Sequence, residues 1–136
     1  MIRAVIDTNV LVSAMISSDG NEALLVMAIN QGLVVPCYSA EILEEYSEVL
    51  LRPRFSFPLG EVDALLDMLR RQGHCLDPVR VTRVSPDPGD DKFIACALVA
   101  KANFLVTGNK RHFPKSISGP KLVNAAELLE FITLEL

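Results

Sequence analysis

The chain predicts an α/β protein whose mostly parallel sheet is covered by helices on both faces. Short apolar runs alternate with segments of helical spacing, which is the order that parallel strands and crossover helices produce. Stop signals such as Gly32, Arg52-Pro53 and Gly73 fall between them. The length of 136 residues, half of them hydrophobic and 22% charged, suits one domain with a full core, so residues 1–136 are read as a single unit.

The run from Met1 to Ile6 is the first strand, and Asp7-Thr8-Asn9 follows it at once. A helix is expected over residues 10–16, then a break at Ser17-Ser18-Asp19-Gly20 and a second helix over 21–31 closed by Gly32. Residues 33–37 make the second strand. Ser39 can cap a helix running to about Leu51, with Ile42, Leu43, Tyr46, Val49 and Leu50 at helical spacing. Residues 61–72 repeat that pattern through Val62, Leu65, Leu66 and Leu69, and a short strand follows near 74–76.

After the turn-rich Ser85-Pro86-Asp87-Pro88-Gly89, Asp90 or Asp91 starts the most apolar helix, over 93–100. Residues 104–107 are the fourth strand and 121–123 the fifth. Asn124 with Glu127 resembles a capping box opening the last helix. There is no internal repeat and no low-complexity segment.

Thirteen basic against seventeen acidic residues give a net charge of −4, so any binding of nucleic acid must use a local basic patch. Cys37, Cys75 and Cys96 are odd in number and lack CxxC spacing. They are expected to be buried thiols of a cytosolic protein rather than a disulfide frame or zinc site. The uncharged stretch 23–40 is broken by Asn30-Gln31-Gly32 and Pro36, so helix, turn and strand is preferred to a membrane span, and no secretory signal pattern is seen.

Asp7 is the most informative residue. Open α/β sheets place their active sites at the carboxyl ends of central strands, and a carboxylate there can bind a hard cation. A plain helix cap competes with that interpretation. Asp91 has the same ambiguity, with Asp90 beside it. Glu45 lies on an acidic helix with Glu41, Glu44 and Glu48, at the edge of the apolar face next to Tyr46. The three acids, if they converge, suggest a divalent metal site. No Lys or Arg is apparent in the strand-end segments to neutralise them, so a cation must bind or a proton must be taken up. Thr107-Gly108-Asn109 ends the fourth strand, where a hydroxyl and an amide can orient a water or a carboxylate; a simple glycine turn is the alternative.

The strings VIDTNVLVSA, EILEEYSEVL, PGDDKFIACAL and FLVTGNKRHFP, in that order across nearly the whole chain, resemble the four signature regions of PIN-domain nucleases. More narrowly, the chain is similar to VapC-like toxin components of toxin–antitoxin systems. The resemblance implies a three-layer α/β/α fold with a five-stranded parallel sheet, and cleavage of RNA dependent on Mg2+ or Mn2+. It implies Asp7, Glu45 and Asp91 as catalytic acids and metal ligands, Thr8 and Thr107 as supporting hydroxyls, and Asn109 where many members carry a fourth acid. That departure bears on a second metal ion more than on the first. Asn9 and Asp90 are supporting candidates.

Lys110, Arg111, His112 and Lys115 follow the fourth strand, so they are expected along the edge that holds Asp7, with Arg52 and Arg54 as further candidates for holding RNA. A cytoplasmic location, a small antitoxin partner and a homodimer are also expected, the last from apolar material between Asn21 and Leu69. Two other classes compete: a PIN-like binding module without turnover, and a phosphotransfer or phosphatase domain. Asn9 stands where a haloacid-type phosphatase would want a second aspartate, and Cys37 where a receiver domain would want its phosphoacceptor, which disfavours the last class.

Overall fold

The computed structural model describes residues 1–76, 89, 91–114 and 117–135. The first apolar run forms β1 (Ile2–Ile6), and α1 (Thr8–Ile16) begins one residue after it. The second helix, α2 (Asn21–Asn30), ends at Gly32, whose φ of 81° lies in the left-handed region that glycine adopts without strain. β2 (Val34–Tyr38) leads to α3 (Ala40–Leu50), capped as expected by Ser39, whose hydroxyl accepts from the Ile42 amide at 3.2 Å. A 3-10 turn, Pro53–Phe55, separates it from α4 (Leu59–Gln72).

The short β3 (His74–Cys75), α5 (Asp91–Ala100), β4 (Phe104–Val106), a 3-10 turn at Lys110–His112, β5 (Lys121–Val123) and α6 (Ala125–Glu135) complete the order. The capping box is present: the Asn124 amide donates to Glu127 Oε1 at 2.9 Å, and the Glu127 amide to Asn124 Oδ1 at 2.8 Å.

Differences from expectation are small shifts of boundary. α1 and α4 each start two residues early, and β4 stops at Val106 because Thr107 turns out of the ladder after its amide bonds Val123. The thiol expectation needs one correction. Cys37 and Cys96 are buried, but Cys75 is exposed, since it ends the two-residue edge strand, where little packs over it.

The strands form one sheet in the order β3-β2-β1-β4-β5, parallel throughout, with helices on both faces as a third and first layer. β1 is central. Its register sets Ile6 opposite Val106, so the next residues, Asp7 and Thr107, leave the sheet side by side. Pro36, which lacks an amide donor, is tolerated in β2 because β3 reaches only Cys37 and Tyr38. Gly73 is required where α4 meets β2: a Cβ there would lie 2.3 Å from the Pro36 carbonyl oxygen.

The core is continuous through Val5, Leu11, Ile29, Ile42, Tyr46, Phe93 and Leu105, all fully or almost fully buried. α5 packs on β1, β2 and β4 as well as α3, which fixes its first turn over the end of the central strand. Among the described residues no single helix is long and apolar enough to cross a membrane.

Candidate metal centre

Two hydrogen bonds define the strand-end cleft. Asp7 stands at the N-cap position of α1, yet the nearby helix amides meet its side chain without full hydrogen-bond geometry. Instead its Oδ2 accepts from the Thr107 hydroxyl at 2.7 Å, while the Asp7 amide bonds the Val106 carbonyl at 2.8 Å. Thr107 is fully buried, and its hydroxyl oxygen accepts in turn from the Asn109 amide at 3.0 Å. The hydroxyl donor therefore has a fixed direction. Thr8, the first residue of α1, donates its hydroxyl to Glu45 Oε2 across to α3.

Tyr46 fixes α3 against β1. Its buried hydroxyl donates to the carbonyl of Ile6, the last residue of the strand, so α3 is held in register immediately before Asp7. Burial, with Cys96, Asp7 and Glu45 adding to it, pushes the Tyr46 phenol well above its ordinary range, so it remains a donor at any physiological pH.

Asp7 is 3% exposed, and burial raises its pKa; the Thr107 hydrogen bond opposes that, the Glu45 charge reinforces it, and the Asn9 and Thr8 amides oppose it again. The cleft thus concentrates negative charge that burial makes unfavourable. Asp91, in the first turn of α5, is completely buried, and its Oδ2 accepts no hydrogen bond, although the residue has interactions elsewhere. Buried carboxylate oxygens without a full set of donors suit a hard cation. By donor chemistry Asp7, Glu45 and Asp91 fit Mg2+ or Mn2+.

They do not form a ready-made cage. Among the described residues no three of His, Cys, Asp and Glu are gathered closely enough to hold an ion. Both oxygens of Glu45 are engaged, Oε2 by Thr8 and Oε1 by Lys92, whose Nζ lies 2.6 Å away. Here the sequence expectation is corrected: a lysine does neutralise one of the acids. Lys92 follows Asp91 directly, but α5 carries it across to α3, and helical spacing within either segment contains no sign of that meeting.

The remaining candidates are spread around the cleft. Asn9 is exposed. Asn109 spends its carboxamide on its own turn, with Oδ1 accepting from the Arg111 amide at 3.3 Å and Nδ2 lying 3.1 Å from His112 Nε2. Lys110 is drawn to α6, 2.6 Å from Glu127 Oε1, a contact that lowers the Glu127 pKa, and Arg111 is exposed. Asp90 and Lys115 lie outside the described residues.

Arg52 follows the end of α3 and pairs with Glu48 at 3.0 Å, and Arg54 sits over the Phe55 ring at 4.8 Å.

Comparison with known proteins agrees with the layout. The family profile described as PIN domain matches residues 3–111. An uncharacterized protein of Methanocaldococcus jannaschii is 32% identical over 112 residues, covering 80% of this chain and 72% of that relative. The family profile's match runs from β1 through Arg111, so it includes Asp7, Glu45, Asp91 and Thr107.

Proposed function

The chain belongs to the PIN domain family, whose members are generally metal-dependent nucleases, and on that footing we propose that it is an Mg2+- or Mn2+-dependent endoribonuclease, the toxin component of a cytoplasmic toxin–antitoxin pair. The observation that carries the proposal is Asp7: a buried carboxylate at the carboxyl end of the central strand, aimed by Thr107 and close enough to Glu45 to feel its charge.

In this reading Asp7, Glu45 and Asp91 would hold the ion through carboxylate oxygens. When bound, the ion supplies an acidified water and a counter-charge for the scissile phosphate. Thr107 keeps Asp7 Oδ2 occupied and so orients Oδ1, Thr8 does the same for Glu45, and Tyr46 fixes the distance between the two elements. Asn109 and Thr107 would position a water or a phosphate oxygen. The Asn109 carboxamide is neutral and already caps its turn, so a second ion there would depend on the substrate's own phosphate.

Arg111 and His112, on the turn after β4, are the proposed contacts to the RNA backbone, with Lys110 available once it leaves Glu127. The homodimer belongs to the same reading. A groove of 440 Å³ lined by Met15, Val26, Met27, Leu65 and Met68, with Leu24 and Ile16 also exposed, supports contact with a second copy.

A binding module without turnover is the second reading, favoured by the engagement of Glu45 by Lys92 and by Asn109 in place of an acid. One assay separates the two: incubation of the purified chain with RNA in Mn2+ or Mg2+, in EDTA, and as Asp7→Asn. Cleavage that needs the ion and Asp7 is expected; RNA left intact under every condition would end the ribonuclease reading.

A further inference from the structure

Lys92 occupies an unfavourable position for a cation. It is the second residue of α5, where the helix dipole disfavours positive charge, and its side chain is only 12% exposed. What holds it there is specific. Nζ lies 2.6 Å from Glu45 Oε1 and 2.6 Å from the Gly89 carbonyl oxygen, and it rests 5.3 Å from the centre of the Phe93 ring. Among the described residues it is also the one basic side chain lining a pocket otherwise formed by Glu41, Glu44, Glu45 and Glu48. An ammonium with two oxygen ligands and one aromatic face therefore sits where α3 presents its acids to the start of α5.

We infer that Lys92 is a built-in counter-cation for Glu45, which a divalent ion must displace when it takes that carboxylate as a ligand. This rests on the metal-nuclease reading and adds a regulatory step to it: loading of the ion is a competition with an internal ammonium. The two cations cannot share Glu45 easily, because charges of the same sign a few ångströms apart repel even at the effective dielectric of a protein surface. The lysine stem is long and its head lies near the rim, so it can swing out without unfolding α5. As the structure stands, both oxygens of Glu45 are taken, one by Thr8 and one by Lys92, so an ion can gain a Glu45 oxygen only by exchange. Only side-chain rotation is needed to release it.

The test compares the full chain with Lys92→Gln and Lys92→Arg by Mn2+ calorimetry and by melting temperature with and without Mn2+. Removing the competitor should tighten Mn2+ binding by about threefold in Lys92→Gln, within the range of a partly exposed ion pair. Its melting temperature should fall below wild type without metal and draw level with it at saturation. Lys92→Arg, which keeps the charge and can grip a carboxylate with two donors, should weaken Mn2+ binding. Should Lys92→Gln not fold, the arginine variant still decides.

Mn2+ affinity unchanged in both variants, or weaker in Lys92→Gln, overturns the inference while leaving the metal site intact. Absence of any Mn2+ binding or melting shift in wild type overturns the metal reading itself, and this inference with it.

Discussion

Two regions of the molecule differ in character. The cleft at the ends of β1 and β4 is built from Asp7, Thr107, Glu45 and Asp91, buried or half-buried polar groups brought together from four separate elements. The groove beside α2 and α4 is lined by Met15, Val26, Met27, Leu65 and Met68, mostly from elements that pack as neighbours. In the cleft, charge is held out of water and a cation would relieve it. In the groove, apolar surface is held in water and another apolar surface would relieve it. The same fold thus leaves two unsatisfied regions, and each points to a ligand of complementary chemistry.

The sharpest way to break this contrast is Asp91→Asn. It should reduce RNA cleavage by at least a hundredfold and abolish the rise in melting temperature that Mn2+ gives, while leaving the metal-free protein as stable as before or more so. If Asp91 only caps α5, the outcome reverses: the metal response persists and metal-free stability falls by about 0.5–1 kcal/mol or less.

Asp7→Asn probes the cost of the buried charge. Burial raises the Asp7 pKa above its unfolded value. Below the unfolded pKa both states are protonated and the charge costs nothing. As pH rises through the folded pKa, the native state is forced to ionise a buried group and loses stability relative to the unfolded chain. Asp7→Asn should therefore match wild type in acid and exceed it at pH 7 in EDTA, measured by urea unfolding. Equal stability at both pH values would show that Thr107 and the neighbouring amides fully satisfy the carboxylate.

In the groove, Met27→Glu should convert a dimer into a 14.9 kDa monomer by light scattering, with cleavage and Mn2+ response unchanged. Wild type that is already monomeric at micromolar concentration removes the second copy from the groove. The smallest effect is expected at the turn after β4. Lys110→Ala with Arg111→Ala should lower the salt slope of RNA binding by roughly one to two units without touching the metal response. The lower figure applies if Lys110 stays with Glu127. An unchanged slope would put the RNA path elsewhere.

Much of this was legible locally. The caps at Ser39 and at Asn124 with Glu127, the stop at Gly73 and the position of Asp7 each depend on a few adjacent residues, and all appear in the structure. The Glu45 face was less legible. Glu41, Glu44, Glu45 and Glu48 share a helix, and their spacing does not say which one meets Thr8. The exposure of Cys75 depended on how short β3 is.

The sequence by itself determined the alternation of strands and helices, the parallel sheet and the strand-end carboxylate, because backbone propensity, caps and apolar periodicity act over a few residues. Only the tertiary structure decided that Thr107 holds Asp7 and that Lys92 reaches Glu45. Those contacts join residues far apart in the chain, and they exist because the β1–β4 register and the packing of α5 on α3 put them in range.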